Sequence, residues 1–330
     1  NCIKNRGDVL FRLGDNAAAR QAYDAAEALY QKVGDDLGRA NCIKNRGDVL
    51  FRLGDNAAAR QAYDAAEALY QKIGDDLGRA NCIKNRGDVL FRLGDNAAAR
   101  QAYDEAEALY QKVGDDLGRA NCISSRGNLL FRLGEIAAAR QAYDEAEALY
   151  QKVGDDLGRA NCLSDRGRVL ARMGEWKQGL AEVIAALPLS KRVEARLNTA
   201  LILNDYLTIL AEDAPEGELG RLAEHLDAVP DLAAMLTTHE TSRSAFVRLA
   251  AAAARRLPGE AAVGVIGSMA VRLPENHQEL LRPALLAARV RAGTLGASLP
   301  AEPDEVRRAV RLVLGEAKGE PGAQPRARKR

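Results

Sequence analysis

"ANCIKNRGDVLFRLGDNAAARQAYDAA" (40–66) decides the fold of this chain. Ala40, Ile43, Gly47 and Leu50 recur at i, i+3, i+7 and i+10, which places them on one face of a helix. Working outward, 35–53 reads as that helix. Gly54 follows it in the left-handed closing position, and Asp55 is the N-cap of a second helix over 56–73. Gly74 stops the second helix and Asp75 caps the next. In the second helix Ala59, Ala62, Tyr63, Ala66, Leu69, Tyr70 and Ile73 form one apolar face. Gly47 in mid-helix costs about 1 kcal/mol relative to Ala. Its recurrence in every unit predicts that two helices approach there too closely for a Cβ.

The same segment recurs with a period of 40 residues. Units 1–40 and 41–80 differ only at Val33 against Ile73, and unit 81–120 differs from the first only at Glu105. Unit 121–160 departs from the third at six places, and a degenerate unit covers 161–187. Every proline lies at 188 or later, a shift in composition that marks a boundary. The chain opens on Asn1 in mid-repeat, as a fragment of a longer protein would. Near-identical units imply recent duplication and a stability built from unit terms plus neighbour interfaces.

Ala40, Ile43, Gly47, Leu50, Gly54, Asp55, Ala59, Tyr63 and Ala66 fall on the signature places of a tetratricopeptide repeat. The period resembles the longer-helix variety found in kinesin light chains, in adaptors with Leu-Gly-Asn motifs and in the C-terminal arrays of STAND signalling NTPases. "GDDLGRANCI" is most similar to the last. The resemblance covers 1–187. It implies an all-α, right-handed α-solenoid of antiparallel helix pairs, while the helical patterning of the residues beyond it predicts a non-repetitive helical region at 188–317. It also implies a protein–protein interaction scaffold that binds a peptide or partner protein in a concave groove lined by the first helices. As the sensor arm of a larger STAND NTPase, the chain would need a GxxxxGK-type loop upstream. The family usually has Leu where this chain has Arg6, Arg46, Arg86, Arg126 and Arg166. These guanidinium groups must snorkel or pair with an acid of a neighbouring helix.

The first helix carries a polar stripe opposite Ile43 and Leu50. Asn41, Asn45, Asp48 and Arg52 lie close together, with Lys44 at the edge. Any exposed helix shows such a stripe. As groove residues, the Asn, Lys and Arg side chains would donate to peptide backbones and carboxylates. The third unit repeats it as Asn81, Lys84, Asn85, Asp88 and Arg92. It changes to Asn121, Ser124, Ser125, Asn128 and Arg132, then to Asn161, Asp165, Arg168 and Arg172. A ligand read specifically is therefore expected to be read at the distinct end, 121–172. Phe11, Phe51, Phe91 and Phe131 flank the stripe. They either pack against the next unit or form apolar anchors for a ligand.

The rest of the sequence excludes more than it assigns. Net charge is +1, and the second unit balances six basic against six acidic residues. Nucleic-acid readers need a basic surface to hold phosphates, and RNA-reading helical repeats run shorter, near 35 residues, so this class is disfavoured. No apolar run approaches the ~20 residues of a membrane span. Cys2, Cys42, Cys82, Cys122 and Cys162 are one unit apart, too far for disulfides. Reduced, mostly buried thiols and a cytoplasmic location are expected. His225, His239 and His277 lack zinc spacing, and neither a phosphate loop nor a nucleophile elbow is present. No catalytic residue, cofactor or metal is expected. Helical segments are predicted at 191–213, 216–228, 240–256, 259–272, 275–292 and 303–317, with a kink or start at Pro283. The tail 318–330 reads as disordered and basic.

Overall fold

The computed structural model describes residues 2–192, 196–229, 232, 236, 240–273 and 275–292. The predicted segment 303–317 and the tail 318–330 lie outside the described residues, as does His239. Within them the regular structure is all helix. The pairs are α1 (Cys2–Arg12) with α2 (Asn16–Val33), and α3 (Asp36–Arg52) with α4 (Asn56–Ile73). They continue as α5 (Asp76–Leu93) with α6 (Asn96–Val113), and α7 (Asp116–Arg132) with α8 (Ile136–Val153). Then follow α9 (Asp156–Arg172), α10 (Trp176–Arg192), α11 (Arg196–Glu212), α12 (Glu216–Leu219) and α13 (Leu222–Asp227). Last come α14 (Glu240–Arg256), α15 (Gly259–Ala270), a 3-10 helix (Glu275–Leu281) and α16 (Arg282–Arg291).

The Gly-Asp turns set these boundaries. Gly54 has φ +84° and Gly74 has φ +77°, values that residues with a Cβ rarely adopt. The Asp55 carboxylate accepts from the Ala58 N–H at 3.1 Å, and Asp35 accepts from Gly38 at 2.8 Å. Such caps satisfy donors that a helix end leaves open. Glu135 replaces Asp before α8 and makes no side-chain cap. Its carboxylate instead meets Arg100 at 3.2 Å.

The chain forms two compact units, Asn1–Val169 and Leu170–Arg330. In the first, every described pair packs internally, and each second helix from α2 to α6 also packs on the next first helix. The first helices α1, α3, α5 and α7 additionally touch one another in succession. The cores cross the repeat boundary. Ala40, Ile43, Leu50, Ala59, Tyr63, Ala66 and Tyr70 pack with Cys82 and Val89 of the following unit. First helices are therefore buried on two sides, by Ile43 and Leu50 inward and by Cys42 and Val49 toward the preceding unit. A repeat of this kind cannot bury its apolar surface alone.

Gly47 behaves as predicted. A Cβ there would lie 2.7 Å from the Tyr63 ring. The second glycine of the unit, in "DDLGRA", has the same role across the boundary, since a Cβ on Gly78 would collide with Tyr70.

In the second unit α11 packs against α10 and α14, while α14 and α15 both pack on α16. The predicted segment 216–228 is two short helices, α12 and α13. Pro283 stands at the start of α16, where its missing N–H costs nothing. α10 runs on through Pro188 to Arg192. Buried Leu187, Leu189 and Ser190 hold the segment after and around the proline in place.

Candidate functional site

Asp48 is the centre of the predicted stripe. Its Oδ1 accepts from the Tyr63 hydroxyl at 2.8 Å and from Asn85 Nδ2 of the next unit at 3.0 Å. Its Oδ2 accepts from Lys44 one turn earlier, at 3.1 Å. One unit back, Asp8 binds Tyr23, Asn45 and Lys4 in the same way. Burial pushes the Asp8 carboxyl up, but these hydrogen bonds and the Lys4 charge outweigh it and hold the pKa below the ordinary carboxylate value. Lys84 and Tyr103 both donate to Asp88. The stripe is thus a hydrogen-bonded ladder that joins one unit to the next.

Asn41 belongs to a second rung. Its Oδ1 accepts from Tyr70 at 2.9 Å, and its Nδ2 donates to the Leu37 carbonyl at 3.0 Å. Asn81 and Asn121 accept from Tyr110 and Tyr150 at 2.9 and 2.8 Å. Burial pushes all eight repeat tyrosines above the usual phenol pKa.

Arg52 stands apart. Its Nη1 donates to the Phe11 carbonyl at 2.7 Å, and its guanidinium lies 3.5 Å from the Phe11 ring centroid. Arg92 repeats this on Phe51 at 3.4 Å, and Arg132 on Phe91 at 3.6 Å. The phenylalanines are half-buried and pack against the cores that span the repeat boundary. This pairing was missed in the sequence. A signal existed, because Phe and Arg recur one unit plus one residue apart. Arg46, Arg86, Arg126 and Arg166 pair as expected, and Arg46 meets Asp24 at 2.9 Å and Glu27 at 2.5 Å on the preceding α2.

The ladder changes at the fourth unit. Ser124 and Ser125 replace Lys and Asn, and Asn128 takes over the Tyr143 hydroxyl at 2.9 Å. In α9 Arg168 donates to Asp165 at 3.3 Å and lies 5.2 Å from the Phe131 centroid. Arg172 belongs to the second compact unit, where it pairs with Glu212 at 3.4 Å.

Cys42, Cys82, Cys122 and Cys162 are free and buried, and Cys2 is free and exposed. Burial pushes the Cys42 thiol up to about 11 and those of Cys82, Cys122 and Cys162 up to about 12. Among the described residues no cluster of three or more His, Cys, Asp or Glu could hold a metal ion. No helix among them is long and apolar enough to cross a membrane. The second compact unit holds a cavity of about 400 Å³ whose lining combines alanines, Ala245 and Ala252 among them, with Glu212, Arg248 and Arg255.

A model of the tetratricopeptide repeat matches residues 1–72, 76–152 and 118–181, more than half of the chain. The chain belongs to the tetratricopeptide repeat family. Solved structures share the repeat fold. BtubC (BKLC) from P. vanneervenii is 20% identical with a TM-score of 0.51, over 59% of this chain and 80% of that one. A STAND protein with a tetratricopeptide repeat sensor, from Pyrococcus horikoshii, is 13% identical with a TM-score of 0.60. That likeness covers 95% of this chain and 45% of the other. A Rap protein complexed with Competence and Sporulation Factor is 14% identical with a TM-score of 0.57, over 93% and 75% of the two chains. At these identities the likeness is one of fold. No curated protein matches the chain.

Proposed function

We propose that this tetratricopeptide array is a protein-interaction scaffold that binds a peptide or an extended segment of a partner along its first-helix face. The observation that carries this is the direct succession of α1, α3, α5 and α7. It aligns half-buried polar side chains of successive units in one continuous row. Lys44 spends one of its three N–H donors on Asp48, and Arg52 one of its five on a carbonyl. The remaining donors are open to a ligand. The row changes from Ser124 onward, at Ser124, Ser125 and Asn128 and again at Ser164, Asp165 and Arg168, so discrimination between ligands belongs there. The solved Rap complex, with its bound Competence and Sporulation Factor, offers a precedent for this fold. The test is photo-crosslinking of peptides selected by display on the intact chain. Crosslinks to α3, α5, α7 and α9 support the assignment, and crosslinks confined to α4, α6 and α8 overturn it.

A second reading is a sensor or partner-binding arm of a STAND-type NTPase. The match of 95% of this chain to 45% of a STAND protein with a tetratricopeptide repeat sensor favours it. The complete open reading frame decides it: a GxxxxGK-type loop before Asn1 supports it, and an upstream sequence without one removes it.

A further inference from the structure

In the second and third repeats the basic side chains are almost fully paired within the fold, and the exceptions are regular. The second unit has six basic residues. Lys44 pairs with Asp48, and Arg46 with Asp24 and Glu27. Arg60 pairs with Asp64, Lys72 with Asp36, and Arg79 with Glu67 and Asp76. Only Arg52 meets no carboxylate, and it rests on a ring and a neutral carbonyl. The third unit repeats this division between paired and unpaired positions. Lys84, Arg86, Arg100, Lys112 and Arg119 each meet an acid, and Arg92 meets none. In the fourth unit Arg132 bonds the Phe91 carbonyl and the Asn96 amide oxygen, both neutral.

Arg52, Arg92 and Arg132 are all exposed. Each is held flat by the ring of Phe11, Phe51 or Phe91 beneath it. Stacking fixes the plane of the guanidinium before any ligand arrives, so little rotamer entropy remains to be lost. The free edge of a planar guanidinium matches a carboxylate in a two-pronged bond. Stacked first helices advance by roughly one interaxial distance, about 10 Å. A polyproline II chain rises about 3.1 Å per residue with three residues per turn, so every third side chain returns to the same face after about 9 Å. Three arginines at one-repeat spacing therefore match acidic side chains at every third residue of a segment in that conformation.

We propose that Arg52, Arg92 and Arg132 form an anion-reading track for an acidic peptide segment with Asp or Glu at every third position. The proposal rests on the first-helix reading above and names the chemistry of its ligand. Affinity comes from the track, and selectivity among acidic ligands from the altered units beyond it.

The test is fluorescence anisotropy on the full chain at low salt. The probe is a labelled Ser/Thr peptide with Glu at every third position. Companion peptides carry Gln at those positions, or Glu at every second one. The first peptide should bind, weaken with added salt, and lose about tenfold in affinity in each companion. Substituting all three arginines, R52Q/R92Q/R132Q, should also lose about tenfold, the order expected of three exposed ion pairs. The peptide series on the unaltered chain holds even if that variant folds poorly, which circular dichroism would reveal. Failure of the Glu peptide to bind, or equal binding of the Gln peptide, overturns the track. Display-selected peptides that crosslink to the first helices yet ignore Glu→Gln exchange would overturn it while leaving the first-helix face standing.

Discussion

The Tyr63 hydroxyl and the Asn85 amide of the following unit donate to the same oxygen of Asp48, at 2.8 and 3.0 Å. One carboxylate thus ties a first helix to its own second helix and to the next unit. Removing a partner of a buried polar group costs more than the net value of the bond, because the group left behind is unsatisfied. Asp48→Ala should destabilise the array by about 2–3 kcal/mol and Tyr63→Phe by about 1 kcal/mol. Asp88→Ala should cost about 1 kcal/mol less than Asp48→Ala, since Ser125 stands where the second donor would be. Denaturant unfolding measures all three, and equal costs at Asp48 and Asp88 would contradict the ladder.

Gly47 and Gly264 are both helical glycines, with opposite expectations. A Cβ at Gly47 would lie 2.7 Å from the Tyr63 ring, whereas nothing lies within 4 Å of one at Gly264. Gly47→Ala should destabilise by about 1–3 kcal/mol through overpacking. Gly264→Ala should stabilise by about 0.5–1 kcal/mol through helix propensity. Thermal melts of the two variants check the sign of each.

The thiols separate into two classes. Cys2 is exposed, while the other four are buried and pushed up to about 11–12. The thiolate is the reactive species. Iodoacetamide at mildly alkaline pH should modify Cys2 quickly in the folded chain and the other four only on unfolding. Mass spectrometry of peptides after timed quenching reads this directly.

All nine tyrosines have phenol pKa values raised by burial, Tyr206 of the second unit included. A group whose folded pKa exceeds its unfolded value stabilises the fold fully below the unfolded value, about 10 for tyrosine. That stabilisation is lost as pH rises above it. Tyrosinate absorbance should therefore stay low past the usual phenol range and then rise in one step with loss of helical circular dichroism. Gradual ionisation of an intact helical chain would contradict this.

The repeat fold was legible because its cues are local. Gly54 and Asp55 mark the turn, the Ala59–Tyr63–Ala66–Tyr70 face marks the core, and Gly47 marks the close approach. The residue types of the candidate site were legible too, but their bonding was not. Asn45 reaches Asp8 and Asn85 reaches Asp48 across 37 residues, a pairing set by how units stack. For the same reason Arg52 on Phe11 and Tyr70 against Gly78 went unread. In the second unit no period supplies redundancy. There the core contacts of Leu187 and Leu189 carried α10 past Pro188, overriding a local rule.

Under the proposed function, ligands are read on the first-helix face at the units that depart from the repeat. S124K/S125N/N128D rewrites the fourth unit as the third. The added side chains would extend the existing ladder, with position 125 donating to Asp88 and position 124 to position 128, so the fold should be at least as stable. The decisive measurement is the affinity of a display-selected peptide for the intact chain and for this variant. Affinity should fall about tenfold or more with no loss of melting temperature, on the scale of a few polar contacts. Unchanged affinity would contradict it.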